Sequence, residues 1–156
     1  MELLLWRHAD ALQGAPDIAR ELSARGHRQA REVAAWLGER APAHLRLLVS
    51  PAARTRQTVS YFCADEGAMR FCAPLFHGAA PEEILRLAGW PDADAPALIV
   101  GHQPLLGAIA AHLLGEASFP ASFRKGALWW LRGEPEREAA RLVHVVEADK
   151  HPERSP

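Results

Sequence analysis

Three observations predict an α/β fold, a three-layer αβα sandwich with a mostly parallel central sheet. Short apolar runs of strand length (Glu2–Trp6, Arg46–Val49 and Ala97–Gly101) recur along the chain. Segments with helical spacing or helix-start signals separate them, the pattern of strands joined by crossover helices. Two further runs, Ala127–Arg132 and Ala139–Val146, flank Gly133-Glu134-Pro135-Glu136 and predict a late antiparallel hairpin. With 156 residues, one domain over positions 1–148 accommodates all of these elements, followed by a loose polar tail at 149–156.

The first run, Leu3-Leu4-Leu5-Trp6, is apolar at every position, as expected for a strand covered on both faces. It leads directly into Arg7-His8. Gly14 and Pro16 mark a loop from Ala9 to Arg20. Ser23 is a candidate cap for a helix carrying Ala30, Val33, Ala34 and Leu37 on one face, which ends near Gly38 and Pro42. After the second strand, Ser50-Pro51 reads as a capping hydroxyl with proline at the first helical position. The helix predicted from it runs to about Asp65 and buries Val59, Phe62 and Cys63. Met69–Ala73 is a short third strand, and a loop through His77-Gly78 leads to a helix from Pro81 to Gly89. Trp90–Pro96 is turn-rich. Ala97–Gly101 is a fourth strand, Pro104 opens a helix to about Leu114, and Gly115–Lys125 has no regular pattern. The neighbours Trp129-Trp130 point to opposite faces of a strand, and both are expected in the core.

Composition narrows the function classes. Net charge is −1 with neutral histidines, so no strongly basic surface for nucleic acid or anionic membrane is implied. The segment Pro96–Gly115 is nearly uncharged, but Gly101-His102-Gln103-Pro104 interrupts it, against a membrane span. The amino end has no secretory leader pattern, so the expected compartment is the cytosol, with Cys63 and Cys72 reduced and buried. The cysteines are not at CxxC spacing, and no histidines form an HxxxH or HxH pair. No metal site or other cofactor is therefore expected.

In a parallel sheet, ligands gather outside the carboxyl ends of the strands. Three strand ends here carry chemistry: Arg7-His8, Ser50-Pro51-Ala52-Ala53-Arg54, and Val100-Gly101-His102-Gln103-Pro104. Two arginines and two histidines at one edge suit a phosphoryl group. Guanidinium forks match phosphate oxygens, and a neutral imidazole offers a nucleophilic lone pair near pH 7. A carboxylate or backbone carbonyl on the other ring nitrogen would select the tautomer. Of the remaining histidines, His27, His44, His112, His144 and His151 read as ordinary polar positions. His77 is an outside candidate because its loop can reach the same edge.

These segments resemble the ordered signatures of the histidine phosphatase superfamily, also called phosphoglycerate mutase-like. Leu5-Trp6-Arg7-His8-Ala9-Asp10 resembles its arginine-histidine motif, Ser50-Pro51-Ala52-Ala53-Arg54-Thr55-Arg56-Gln57-Thr58 its SPxxRxxQT motif, and Val100-Gly101-His102-Gln103-Pro104 its VGHxP motif. The similarity extends to about Val146, and the compact length most resembles the SixA-type phosphohistidine phosphatases. The resemblance implies a metal-independent hydrolase in which His8 attacks phosphorus and Arg7, Arg54 and His102 form the phosphate pocket. It also implies a loop arginine near the site, matched here by Arg20. The usual RHG triplet is RHA in this chain. Larger members carry a glutamate that protonates the leaving group; Glu82 and Glu83 are the candidates, Glu82 first. At a helix amino end, however, either is stabilised without any catalytic role.

Phosphohistidine in a protein, for instance on a histidine phosphotransfer domain, is the leading substrate class. No nucleic acid or membrane partner is implied, and the chain is expected to be a monomer. The rival readings are a phosphatase for a small phosphate ester and a non-catalytic module that binds phosphorylated proteins.

Overall fold

The structure is a computed structural model and describes residues 1–115, 123–134 and 139–149. Its strands are β1 (Glu2–Arg7), β2 (Arg46–Val49), β3 (Met69–Phe71), β4 (Ala97–Gly101), β5 (Leu128–Gly133) and β6 (Ala140–Val146). Its helices are α1 (Ala24–Arg40), α2 (Ala53–Ser60), α3 (Ala73–His77), α4 (Pro81–Ala88) and α5 (Leu105–Leu114). The strands form one sheet in the order β3-β2-β4-β1-β5-β6. The pairs β3/β2, β2/β4 and β4/β1 are parallel, and β5 runs antiparallel to both β1 and β6.

The alternation within β1 explains its unbroken apolar run. Leu3 and Leu5 face a core layer with Leu106, Ile109 and Leu113 of α5 and Ile84 of α4. Leu4 and Trp6 face the opposite layer with Val33 and Leu37 of α1 and Val59 of α2. All four β1 side chains are fully buried, each contributing about 1.5–3 kcal/mol of apolar burial. Trp129 and Trp130 divide between the same two layers. The observed architecture is the αβα sandwich expected from the sequence, late antiparallel pair included. The centre of its hairpin turn (135–138) and the tail beyond residue 149 lie outside the described residues.

Three details differ from the sequence reading. Helix α2 begins at Ala53, with Ala52 as a cap that makes no side-chain bond. Ser50 is not that cap, because its hydroxyl is turned across the sheet edge towards His102. The helix also ends at Ser60, since Asp65 caps a separate turn over Glu66–Ala68, accepting from Gly67 N at 2.9 Å. Phe62 and Cys63 consequently sit only half-buried. The third difference is α3, where a loop was expected: five residues provide little more than one turn, too few to show a helical period.

Candidate active site

Parallel pairing brings three strand ends to one edge. Arg7 lies opposite Gly101 and Val49 opposite Val100. The ladder continues one step beyond the strands, with His8 N donating to Gly101 O at 3.0 Å and Ser50 N to Val100 O at 3.0 Å. Ser50, His102 and His8 therefore stand side by side at the ends of β2, β4 and β1. The His8 and His102 ring centroids are 5.2 Å apart, with the planes inclined at 54°.

His8 is held from several directions. Its carbonyl accepts from Gly126 N at 2.9 Å, and the next amide, Ala9 N, donates to Thr58 Oγ1 at 3.1 Å. Its Nδ1 lies 2.7 Å from Ala9 O. A carbonyl oxygen only accepts, so Nδ1 carries the proton and the lone pair of the neutral ring is on Nε2. Burial is the main cause that lowers the His8 pKa to about 3; the Ala9 bond opposes the shift, while His102, Arg54 and Arg7 reinforce it. His102 is lowered to about 4, again chiefly by burial, with Arg54 adding to the shift and Asp17 opposing it. Both rings are neutral near pH 7.

The arginines share a pattern. Arg7 donates through Nη1 to Phe123 O at 2.6 Å. Arg54, in the first turn of α2, donates through Nη1 to Asp17 O at 2.8 Å and through Nη2 to Asp17 Oδ2 at 3.2 Å. Each is anchored at the end of its guanidinium, and each leaves Nε buried without a partner. His102 Nδ1 is buried and unpartnered as well. Buried polar nitrogens in folded proteins are almost always satisfied, so the two unpartnered guanidinium N–H groups, with His102 Nδ1 beside them, mark a place for acceptor oxygens.

Asp17 also accepts from Arg20 Nη1 at 3.1 Å, and Arg20 Nε donates to Leu12 O at 2.8 Å. The structure thus brings Arg20 to the site through Asp17, a residue for which the sequence carries no separate signal. Arg20 most strongly holds the Asp17 carboxyl below its ordinary range; burial opposes the shift, and Arg54 adds to it.

Glu82 is not brought to the pair. It stands 3.6 Å from Nδ1 of His112, in a groove with Arg86 and Trp90. His112 lies seven residues past the start of α5, about 10 Å along the helix axis from the sheet edge. Glu83 shares that short helix and is exposed. His77 ends α3, whose Phe76 ring packs edge-on against His102 at 5.8 Å. Among the described residues, no group of three or more His, Cys, Asp or Glu side chains is arranged to hold a metal ion.

Other positioning residues come from the same motifs. Gln57 Oε1 accepts from Leu22 N at 2.7 Å, tying α2 to the segment before α1, and Thr58 Oγ1 donates to Arg54 O at 2.7 Å. Asp10 is fixed by the Ser23 hydroxyl at 2.6 Å and by Lys125 Nζ at 3.0 Å. Phe123, from the stretch without sequence pattern, and Gly126 just after it provide backbone contacts to Arg7 and His8.

Residues 4–73 match the histidine phosphatase superfamily (branch 1), covering the first two strand ends of the site. A Mycobacterium tuberculosis protein described as uncharacterised is 38% identical over 110 residues, 67% of this chain and 66% of that one, just under two thirds of its length. A structure of the protein histidine phosphatase SixA complexed with tungstate aligns over 94% of this chain and 97% of its own, with a TM-score of 0.77 and 24% identity, which shows a shared fold. A protein proposed to be the phosphohistidine phosphatase SixA of Nakamurella multipartitia is 30% identical, with a TM-score of 0.76, over 94% of this chain and 95% of that one. The chain belongs to the histidine phosphatase superfamily.

Proposed function

We propose that the protein is a phosphatase that hydrolyses phosphohistidine through a phosphoryl intermediate on His8. The observation that carries this reading is the trio of unpartnered buried nitrogens, Arg7 Nε, Arg54 Nε and His102 Nδ1, beside an imidazole whose Nε2 lone pair is free. These nitrogens donate to the phosphoryl oxygens, and their preorganisation in a buried site stabilises the charge of the transferring group. His8 Nε2 attacks phosphorus, the bond from phosphorus to the substrate nitrogen breaks, and the phosphoryl group rests on His8. Water then attacks phosphorus, His8 Nε2 leaves with its electron pair, and phosphate departs with the proton released to solvent.

The first step leaves an imidazole nitrogen on the substrate. If the other nitrogen of the phosphorylated ring carries a proton, the leaving group departs as neutral imidazole and needs no acid from the enzyme. An alkoxide leaving group needs one. The pairing of Glu82 with His112, in a groove lined by none of the strand-end residues, therefore supports a phosphoramidate over a phosphate ester. The similarity to the Nakamurella protein supports the same substrate class.

The test uses a phosphotransfer domain phosphorylated on histidine, incubated with the protein in the presence of EDTA. Phosphate release by wild type, loss in His8→Ala, and an acid-labile phosphoprotein intermediate missing in that variant are the expected results. Hydrolysis by His8→Ala at the wild-type rate would refute the mechanism. Binding of the phosphorylated domain without turnover would instead make this a recognition module.

A further inference from the structure

We propose that Ser50 is a positioning residue: its buried hydroxyl holds His102 with the proton on Nδ1, so that His102 meets the phosphoryl oxygens as a neutral N–H donor rather than as a base. The inference deepens the phosphatase reading and rests on it for the identity of the oxygens.

The geometry supplies the direction of the bond. Ser50 follows β2, its backbone N–H continues the ladder to Val100 O, and the residue is fully buried. Its Oγ lies 2.7 Å from His102 Nε2. The same oxygen accepts from Ala52 N at 3.4 Å, a long bond that occupies a lone pair and leaves the hydroxyl hydrogen free. The Ser50 carbonyl is taken by Thr55 Oγ1 at 2.8 Å. His102 Nε2 stands within reach of that hydrogen, and in the proposed arrangement it accepts it, so that the ring proton resides on Nδ1. That atom is buried and without a hydrogen-bond partner, beside the two arginine Nε groups in the same condition. The opposite arrangement, with Nε2–H donating to Ser50, would place a bare lone pair on Nδ1 where electron-rich phosphoryl oxygens are to be received. That arrangement repels the ligand that the two arginine Nε groups attract. The depressed basicity of His102 is consistent with a ring that works while neutral. The sequence presented Ser50 as a helix cap; in the folded chain α2 starts three residues later, at Ala53, and the hydroxyl is free for the histidine.

The decisive measurement is made on the wild-type protein. Long-range proton–nitrogen correlation spectra of ¹⁵N-labelled wild type at pH 7, with the His102 signals identified by their absence in His102→Asn, report which ring nitrogen is protonated. A protonated Nδ1 and an unprotonated, hydrogen-bonded Nε2 are expected, in the free protein and with tungstate bound. A protonated Nε2 would overturn the proposal. Ser50→Ala should mix the two tautomers and lower kcat by about tenfold to a hundredfold, the range for removing a partner that orients an active group. Ser50→Thr, which retains the hydroxyl, should restore both. An unchanged His102 spectrum in Ser50→Ala also counts against the proposal. If the tautomer is as stated and tungstate binds but phosphohistidine is not turned over, the substrate assignment fails while the role of Ser50 stands.

Discussion

At the scale of single residues, the two histidines make the site sensitive to acid. Their folded pKa values, about 3 for His8 and about 4 for His102, lie below the 6.5 of an unperturbed imidazole. At intermediate pH the unfolded chain therefore binds more protons than the folded one. Stability should be fully developed above about pH 6.5 and decline as pH falls towards 4, by at most about 1.4 kcal/mol per pH unit for each group. The carboxyls of Asp10, Asp17 and Asp149, held below 3.8, lose their contribution only below that range. Melting temperatures between pH 7 and pH 5 should fall, less steeply in His8→Ala than in wild type. Saturating tungstate should flatten the slope, since an anion favours the protonated rings. Equal slopes in wild type and His8→Ala would mean that His8 is not held neutral by the fold.

Among the elements, the loop after β1 depends on a close approach to α1. A Cβ added at Gly26 would stand 1.9 Å from Asp10 O, a backbone atom that cannot step aside alone. That carbonyl also accepts from Ser23 N, while the Ser23 hydroxyl caps α1 by accepting from Gly26 N. Gly26→Ala should therefore displace the Asp10 loop and destabilise the fold by about 1–3 kcal/mol, the usual cost of overpacking. Activity should fall further than the unfolded fraction accounts for, because Ala9 and His8 are anchored beside that loop. Denaturant titration together with phosphatase assay checks this, and an unchanged midpoint would show that α1 can move away without cost.

For the molecule as a whole, the candidate site gathers at the ends of β2, β4 and β1, and the groove between α4 and α5 is lined by none of its residues. Glu82 faces His112 in that groove. Glu82→Gln should therefore leave kcat on phosphohistidine within about twofold of wild type, as for a surface substitution away from the chemistry. A fall of an order of magnitude would instead require α4 to close over the site during turnover. The topology also explains why the site is assembled from distant segments. β4 inserts between β2 and β1, so that His102 arrives between Ser50 and His8 although it lies more than forty residues beyond the first two motifs.

How much of this could be read in advance follows from the range of the interactions. Strand runs, the Ser23 cap and the residue types at the three strand ends are local, so the αβα sandwich and the roster Arg7, His8, Arg54 and His102 are legible in the chain. The five-residue α3 and the early end of α2 are too short or too irregular for a period to reveal. The jobs of Ser50, Asp17, Gln57 and Thr58, and the backbone contacts from Phe123 and Gly126, arise between segments that only the folded sheet brings together. A hydroxyl beside a proline looks like a helix cap until a histidine from another strand stands 2.7 Å away. Sequence alone determined which groups would gather. Tertiary structure decided which group stands against the His102 ring, because the hydrogen-bond partner that selects a tautomer lies 52 residues away in the chain.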